Sequence, residues 1–466
     1  MKKKYYLSLL IIFVLSSCSF KVGPSSPTDP VDPSDPEEYI VIDSPVKRMP
    51  AEFEPVSMVK MIYPFNIDSS VYVTISKETK ILLLCNYDSY GKSTINKAKS
   101  SLNSLGANMS NISFLDMDLD DGNCWIRDCS PFYIFNESDL EIVDFTYNRP
   151  YRVNQNKIPS KLASYFSIDY SLMDLVHTGG NLMQDGRGTA FSDDLVISEN
   201  NNNETKVREQ MKQYTGTDNY VITIDPQGDY IAHIDCWAKI VAVDKIIVAQ
   251  VPKSNPQYEE YESVANLLAN TKCAYGYNYK IYRIEEPGGD IIAPYTNSLI
   301  ANNNVYVPMG EDETYNTKAL NLYKSVLPGY TVTGVYSSSG YNSFLNTDAL
   351  HCRTHEVPDQ NMIFIDSRDV YSGLVDKLDS YLVKANVISY SGSKIKSAKI
   401  YYSINNNEYV SLDLAKYQDT SNYTYTFENL NHGDDVKYYL EVEDNLGNKQ
   451  IDPSCGKLDP HHFAIR

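Results

Sequence analysis

Between about residue 47 and residue 370, short apolar runs rich in β-branched residues alternate with amphipathic stretches, and this alternation constrains the fold most strongly. The predicted strands are residues 81–85, 221–224, 240–251 and 305–308, and the predicted helices are residues 92–105 and 258–268. We therefore expect a mixed α/β fold. No strict repeat of fixed period is visible, so a solenoid is not predicted.

The last part of the chain, residues 376–466, has a different pattern. Its predicted strands are separated by Gly, Asn, Ser and Asp turns and cover residues 381–388, 398–404, 424–427 and 436–442. Short, regular strands predict a small all-β sandwich. It carries no cluster of candidate catalytic groups, so a stabilising or docking role is expected. His461 and His462 are predicted to be exposed loop residues rather than metal ligands.

The first 46 residues indicate export. A basic start and an apolar run of residues 5–14, too short to span a bilayer permanently, precede Cys18. This segment resembles the lipobox of bacterial lipoproteins, which implies a lipid on Cys18 and a bacterial membrane anchor facing the periplasm or the cell surface. The alternative is an ordinary signal peptide. Residues 19–46, rich in Pro, Ser and Asp, predict a tether.

The chain is thus predicted to have four segments: a lipoprotein signal peptide (1–18), a tether (19–46), an α/β catalytic domain (47–375) and a β-sandwich (376–466). A formal charge of -19 disfavours nucleic acid as a partner and favours a cationic substrate. With Cys18 modified, seven of the eight cysteines remain, so at least one thiol is free.

Four polar clusters stand out in the α/β region, at residues 125–128 (WIRD), 177–181 (HTGGN), 233–237 (HIDCW) and 346–355 (NTDALHCRTH). A thiol, a distant histidine and an amide form a common nucleophilic set, which Cys352, His233 and Asn297 could supply. Two further carboxylates, Asp128 and Asp235, suit a planar cation with paired N–H donors, a guanidinium.

Other interpretations of these residues stay open. Cys352 could be an inert buried thiol, and His233 alone would more often be a satisfied core histidine. A zinc site at His351, Cys352 and His355 is a further alternative, but no fourth ligand has evident spacing.

Several motifs in order resemble one family: RMPAEFEP from residue 48, then WIRD, YNRP, HTGGN, HIDCW, YTNSLI and LNTDALHCRTHE. The chain most closely resembles the Porphyromonas-type peptidylarginine deiminases of the guanidino-group-modifying superfamily, with agmatine deiminases as more distant relatives. This resemblance implies a five-bladed α/β-propeller, called a pentein, followed by an immunoglobulin-like module, and a site that needs no metal or cofactor.

The resemblance also implies roles for individual residues. Cys352 would be the nucleophile, His233 the general acid and base, Asp128 and Asp235 the guanidinium clamp, and Asn297 a supporting residue. The implied substrate-binding residues are Asp128, Asp235, Trp125, Arg149, Arg152, Gly180 and Thr347. The expected reaction converts arginine in peptides or proteins to citrulline and ammonia through a thiouronium intermediate.

The choice of substrate is open at this point. In this family two arginines near YNRP read the free carboxylate of a C-terminal arginine; Arg149 matches the first, but the second falls on Tyr151. Strand alternation would turn Arg152 to the opposite face. Internal peptidylarginine, free arginine and agmatine remain alternatives. So do an amidinotransferase and a non-catalytic lipoprotein that binds arginine-containing peptides.

Overall fold

A computed structural model describes residues 41–120, 125–288, 293–337 and 343–466. Residues 42–466 form one compact unit, which the account below concerns. The predicted signal peptide, Cys18 and Cys124 lie outside the described residues. Ile42 and Ser44, in the predicted tether, hydrogen-bond to Asn422 and Asn386.

The strands of the α/β part are, in chain order, β1 (Lys47–Arg48), β2 (Val56–Tyr63), β3 (Ile81–Asn86), β4 (Ile112–Met117), β5 (Phe132–Asn136), β6 (Asp139–Tyr147), β7 (Asp169–His177), β8 (Met183–Gln184), β9 (Thr189–Asp193), β10 (Asn219–Thr223), β11 (Ala238–Ala242), β12 (Lys245–Gln250), β13 (Lys280–Glu285), β14 (Leu299–Ala301), β15 (Asn304–Pro308), β16 (Thr331–Val335) and β17 (His355–Pro358). The α-helices are α1 (Ser69–Glu78), α2 (Ile95–Ser104), α3 (Ile126–Cys129), α4 (Ile158–Phe166), α5 (Leu195–Ser198), α6 (Glu204–Thr215), α7 (Tyr258–Ala269) and α8 (Glu313–Val326). Short 3-10 helices cover Met109–Asn111, Gln155–Lys157, Gly179–Asn181, Ile234–Cys236 and Gly456–Leu458.

These strands form five small sheets with one shared connectivity, in the spatial orders β1-β5-β6-β7, β8-β9-β10, β11-β12-β13, β14-β15-β16 and β17-β2-β3-β4. In each sheet an antiparallel pair is followed, after a helix, by a parallel strand, as in β11-β12-β13. The sequence shows no fixed period, but the structure contains this repeated arrangement. The fifth sheet is closed by β17, which pairs antiparallel with β2.

Local signals fix the ends of the helices. The Asn203 side chain accepts from the Lys206 N–H at the start of α6, and Gly216, with φ +72°, ends that helix. A Cβ at Gly216 would lie 2.1 Å from the Lys47 carbonyl oxygen, so this turn requires glycine. The Asp312 side chain caps α8 by accepting from the Thr314 and Tyr315 N–H groups.

The largest apolar cluster lies between sheet β11-β12-β13, sheet β14-β15-β16 and helices α7 and α8. Trp237, Tyr275 and Tyr323 are among its fully buried side chains. One strand prediction was wrong in detail: the apolar run 240–251 is two strands, β11 and β12, with a turn between them. Both strands are buried on both faces, so each is a nearly continuous apolar run, and the polar pair Asp244 and Lys245 marks the turn between them.

The remaining strands are β18 (Ile363–Ser367), β19 (Gly373–Val375), β20 (Ser380–Ser389), β21 (Ile395–Ile404), β22 (Val410–Asp413), β23 (Ala415–Lys416), β24 (Asn422–Glu428), β25 (Asp435–Asp444), β26 (Lys449–Asp452) and β27 (His461–Ile465). They form two sheets, which share one apolar cluster. The prediction for His461 was wrong: it is buried in β27 and its Nε2 lies 3.3 Å from Asp452 Oδ2.

Buried polar contacts join these two sheets to the α/β part. Arg187 donates to the Ile365 carbonyl oxygen at 2.7 Å and lies 3.6 Å from Asp452 and 3.7 Å from Asp366. The Tyr275 hydroxyl donates to Asp452 at 2.6 Å. The C-terminal sheets are therefore packed against the α/β part through buried charges as well as apolar surface.

Candidate active site

The predicted site residues occupy equivalent places in the five sheets. Each lies in the segment just before the strand that starts the antiparallel pair: Asp128 before β5, Gly180 before β8, His233 and Asp235 before β11, Asn297 before β14, and Cys352 before β17. Because the five sheets share one connectivity, site residues that are distant in sequence lie at equivalent positions, and the contacts below show that they meet at one site.

Cys352 is buried and is contacted by Asn297. The Asn297 Nδ2 donates to the Cys352 Sγ at 3.3 Å, and its Oδ1 accepts from the Cys352 N–H at 3.3 Å. Burial, followed by the charges of Asp235, Asp348 and Asp128, raises the pKa of the Cys352 thiol well above its usual value. Without a cation, the site therefore favours the thiol over the thiolate.

The two predicted clamp carboxylates differ in their surroundings. Asp235 Oδ2 lies 3.7 Å from Cys352 Sγ and accepts from His351 Nδ1 at 2.7 Å. Burial acts to raise the pKa of Asp235, but the hydrogen bond and charge of His351 outweigh it, and the pKa is lowered. For Asp128, burial dominates and raises the pKa. Asp235 is therefore held ionised, whereas ionisation of Asp128 is expected to become more favourable when a cation binds beside it.

His233 lies beside the second carboxylate. Its Nδ1 is 3.8 Å from Asp128 Oδ1, and its Nε2 is buried without a hydrogen-bond partner among the described residues. The Asp128 Oδ1 is also buried and unpartnered within that part of the chain. Buried polar atoms without partners are costly, so these two atoms are suited to a ligand that supplies the missing bonds.

Gly179 and Gly180 allow this close approach. A Cβ at Gly180 would lie 2.6 Å from His233 Nδ1 and 2.8 Å from Asp128 Oδ1, and one at Gly179 would lie 2.1 Å from the Arg127 carbonyl oxygen. The space that a side chain would fill at Gly180 is therefore taken by the site residues themselves, which explains the glycine at this position.

Trp125 is half-buried and borders the site between two guanidinium groups. The Arg152 and Arg353 Cζ atoms lie 4.7 Å and 4.9 Å from the centre of its ring. The expectation for Arg152 was wrong: residues 149–152 form a turn, with the Arg152 N–H donating to the Arg149 carbonyl oxygen at 2.9 Å, so strand alternation does not apply. Tyr151 is 70% exposed.

Arg149 and Thr347 are placed differently. The half-buried Arg149 donates to the Asn148 carbonyl oxygen at 3.3 Å, and its charge acts on Asp128. Thr347 lies in the turn between Leu345 and Asp348, and no described catalytic side chain is within hydrogen-bond distance of it.

The sequence analysis gave Glu52 no role and considered His351 only as a zinc ligand, but the structure places both beside the site. Glu52 accepts from Lys239 and lies 3.3 Å from Arg127 Nη1, and its two oxygens lie 2.8 and 2.9 Å from His351 Nε2. Both residues belong to motifs quoted above, RMPAEFEP and ALHC, but 299 positions separate them. Only the pairing of β17 with β2 brings these motifs together.

Within the part of the chain that the structure describes, the cysteines form no disulfide and no metal-binding group is formed. The described residues contain no group of three or more His, Cys, Asp or Glu side chains arranged to hold a metal ion. The six described cysteines, Cys85, Cys129, Cys236, Cys273, Cys352 and Cys455, are free thiols. The site therefore offers a thiol, an imidazole and two carboxylates, which together can bind and attack a guanidinium carbon.

Known proteins share this fold. Agmatine deiminase of Enterococcus faecalis has a TM-score of 0.58 at 20% identity, covering 68% of this chain and 96% of its own. An agmatine deiminase from C. jejuni has a TM-score of 0.56 at 18% identity, covering 67% and 97%. A Mycoplasma mycoides protein named "Putative agmatine deiminase" is 24% identical over 66% of this chain and 95% of its own.

Residues 48–358 match the model of a family described as Porphyromonas-type peptidyl-arginine deiminase. The matched region spans all five sheets of the α/β part and the site residues from Asp128 to Cys352. The chain therefore belongs to the Porphyromonas-type peptidyl-arginine deiminase family, within the guanidino-group deiminases.

Proposed function

We propose that this protein is a peptidyl-arginine deiminase that converts the arginine side chain to citrulline and ammonia. The observation that carries this proposal is the burial of two carboxylates, Asp128 and Asp235, around the Cys352 thiol and His233. His351 already accompanies Asp235, whereas burial disfavours the ionised form of Asp128, and a guanidinium supplies both additional charge and paired N–H donors.

Binding prepares the nucleophile. The guanidinium donates hydrogen bonds to Asp128 and Asp235, and its charge offsets the carboxylates that hold the Cys352 pKa high. The thiol then loses its proton more readily, and the Asn297 N–H stabilises the sulfur anion. The substrate thus promotes formation of the thiolate that attacks it.

Two half-reactions follow. The Cys352 sulfur bonds to the guanidinium carbon, and one terminal nitrogen, protonated by His233, leaves as ammonia when its bond to carbon breaks. Water deprotonated by His233 then adds to the carbon of the thiouronium, and the carbon–sulfur bond breaks with its electron pair returning to sulfur. The sum is arginine plus water giving citrulline plus ammonia.

Peptidyl-arginine is proposed over agmatine because of Arg149. Its guanidinium acts on Asp128 and Glu199 from the segment after β6, and it would attract a substrate carboxylate or carbonyl. Agmatine ends in an ammonium, which this charge would repel. The similar proteins named as agmatine deiminases make agmatine the alternative to be tested.

The experiment is an assay of ammonia and citrulline release by the purified protein from C-terminal-arginine peptides, internal-arginine peptides, free arginine and agmatine, with Cys352→Ala as the inactive control. Release from peptides that is absent in the variant supports the proposal. Release from agmatine alone assigns the alternative, and no release from any substrate refutes the enzymatic proposal.

We further propose that the five sheets are the blades of an α/β-propeller and that the C-terminal sheets form an immunoglobulin-like module.

We also propose that the protein is exported and lipid-anchored through Cys18. Within residues 41–120, 125–288, 293–337 and 343–466, no helix has the length and apolar character needed to cross a membrane. Metabolic labelling with a fatty acid, lost in Cys18→Ala, tests the anchor.

A further inference from the structure

Glu52, His351 and Asp235 form a continuous line of hydrogen-bonding groups that ends at the nucleophile. His351 Nε2 lies 2.8 and 2.9 Å from the Glu52 oxygens, and His351 Nδ1 lies 2.7 Å from Asp235 Oδ2. The same Asp235 oxygen is 3.7 Å from Cys352 Sγ. The His351 side chain is 1% exposed and the Asp235 side chain 3% exposed, so water does not screen these contacts.

Both imidazole nitrogens of His351 face carboxylate oxygens at hydrogen-bond distance. A neutral imidazole can donate from one nitrogen only. Its unprotonated nitrogen would then face a carboxylate oxygen, and neither atom could donate a hydrogen bond. The arrangement is satisfied when both nitrogens donate, with His351 as an imidazolium between two carboxylates. Lys239 and Arg127 contact Glu52 from its other side and keep it ionised.

We propose that His351 is a positioning residue that fixes Asp235 in the orientation and charge state needed to bind the guanidinium, with Glu52 as its counter-charge. This inference rests on the proposed function, since it gives Asp235 the role of guanidinium ligand. His351 does not contact the reacting atoms in this scheme, and acts through the carboxylate it holds.

Other charged groups also face the members of this line. Asp235 is influenced by His351, His233 and Arg127, and lies beside the Cys236 and Cys352 thiols, with Asp128 across the site. Among these groups His351 makes the strongest favourable contribution to ionised Asp235. Removing His351 therefore raises the pKa of Asp235, because only the charges of His233 and Arg127 then act against burial.

A pair of small alkylating agents isolates this effect. 2-Chloroacetamidine carries a guanidinium-like cation, and 2-chloroacetamide is its neutral counterpart; with each, the Cys352 thiolate forms a carbon–sulfur bond and displaces chloride. The ratio of their rates measures what the cation gains from the carboxylates, through binding and through easier ionisation of the Cys352 thiol, whereas the reactivity of the thiol in the unbound site is common to both. It requires no turnover.

The rate ratio is measured from pH 5.5 to 9 for wild type, His351→Asn, Glu52→Gln and the matched control His355→Asn. Asn at 351 retains a donor toward Asp235 but loses the charge. We expect His351→Asn to lower the ratio about 10-fold at pH 6, with recovery as pH rises, because protonation of Asp235 removes one of the two guanidinium ligands. Glu52→Gln shifts the ratio in the same direction. His355, whose ring contacts the Glu356 carbonyl oxygen, gives a wild-type profile.

With a peptide substrate, KM at pH 6 rises more than kcat falls in His351→Asn. The proposal is overturned if the ratio and its pH profile are unchanged in both His351→Asn and Glu52→Gln, or if His355→Asn changes them equally. If His351→Asn does not fold, Glu52→Gln alone decides. A His351-dependent ratio in a protein without deiminase activity would refute the proposed function while supporting this positioning role.

Discussion

The Asn297 side-chain amide holds Cys352 at two points, with Nδ2 donating to Sγ at 3.3 Å and Oδ1 accepting from the backbone N–H at 3.3 Å. The same Oδ1 accepts from the His351 N–H at 2.9 Å. One side chain therefore fixes the loop that carries the nucleophile and stabilises negative charge on its sulfur.

Asn297→Ala removes that donor, and we expect kcat to fall about 10- to 100-fold, the worth of a hydrogen bond to a charged group. The pH midpoint for alkylation of Cys352 by 2-chloroacetamide should move upward. Asn316→Ala is the matched control, since Asn316 is equally buried but contacts Tyr295 and Gly310. An unchanged alkylation midpoint in Asn297→Ala would contradict the assignment.

The pH dependence of kcat/KM follows from the raised pKa values of Asp128 and Cys352. Guanidinium binding needs ionised Asp128, so kcat/KM falls as pH drops through the raised pKa of this carboxyl, which lies above that of a free aspartate, about 3.9. The Cys352 thiol adds a rise toward alkaline pH. Initial rates from pH 4.5 to 9 test both effects: the thiol alone gives a constant slope of log kcat/KM against pH, and a slope that does not steepen at the acid end would contradict the Asp128 prediction.

His177 makes stability depend on pH. It is fully buried, accepts from the Thr178 N–H and contacts the Tyr220 hydroxyl, and burial lowers its pKa from 6.5 to about 4. As pH falls from 6.5 to 4, His177 becomes protonated in the unfolded chain but stays neutral in the folded one. The free energy of unfolding therefore drops by about 3 kcal/mol in total. Urea unfolding should show a shallower pH slope in His177→Asn and an unchanged slope in exposed His432→Asn; equal slopes in all three proteins would exclude His177.

Arg187 is expected to tie the C-terminal sheets to the α/β part. Arg187→Met removes a buried cation from Asp366 and Asp452, which keep Arg368 and His461 as neighbours, so we expect the free energy of unfolding to fall by about 3 kcal/mol, the lower end of the cost of breaking a buried pair. Arg466→Met breaks an Arg–Asp pair whose side chains are 62% and 77% exposed, so water screens it and the free energy of unfolding should change far less than in Arg187→Met. Similar losses in both variants, measured by thermal and urea unfolding, would show that burial does not govern these pairs.

Gly180→Ala places a methyl group where His233 Nδ1 and Asp128 Oδ1 now lie. We expect kcat/KM to fall about 100-fold, because displacing catalytic groups by about 1 Å is enough for such a loss. The melting temperature should change little if the site residues absorb the shift. Retained activity with a lowered melting temperature would instead mark Gly180 as a structural residue.

Sequence reasoning located the residues that carry recognisable chemistry. The structure places Cys352, His233, Asp235, Asp128 and Asn297 around one site, as their clustering with polar neighbours indicated. Their roles in catalysis stay predictions. The mixed α/β class was predicted because apolar runs and amphipathic stretches alternate visibly along the chain.

The rest depends on contacts between distant segments. Glu52 and His351 become partners only when β17 pairs with β2, a relationship that no local pattern contains. Arg152 was misplaced because the strand ends at Tyr147 and the chain turns immediately afterwards. His461 could have been recognised, since it alternates with Phe463 and Ile465, two buried residues of β27.

The pairing of β17 with β2 also affects the order in which this chain can fold. Strand β2 can pair with β3 once residues 81–86 have been synthesised. The other edge of β2 has no partner until β17, residues 355–358, has also been synthesised. During that interval the edge offers unpaired N–H and C=O groups, which favour association with other chains. Because Cys352 precedes β17 directly, the nucleophile reaches the site only at the end of this closure. An incomplete chain therefore carries an aggregation-prone edge but no assembled active site.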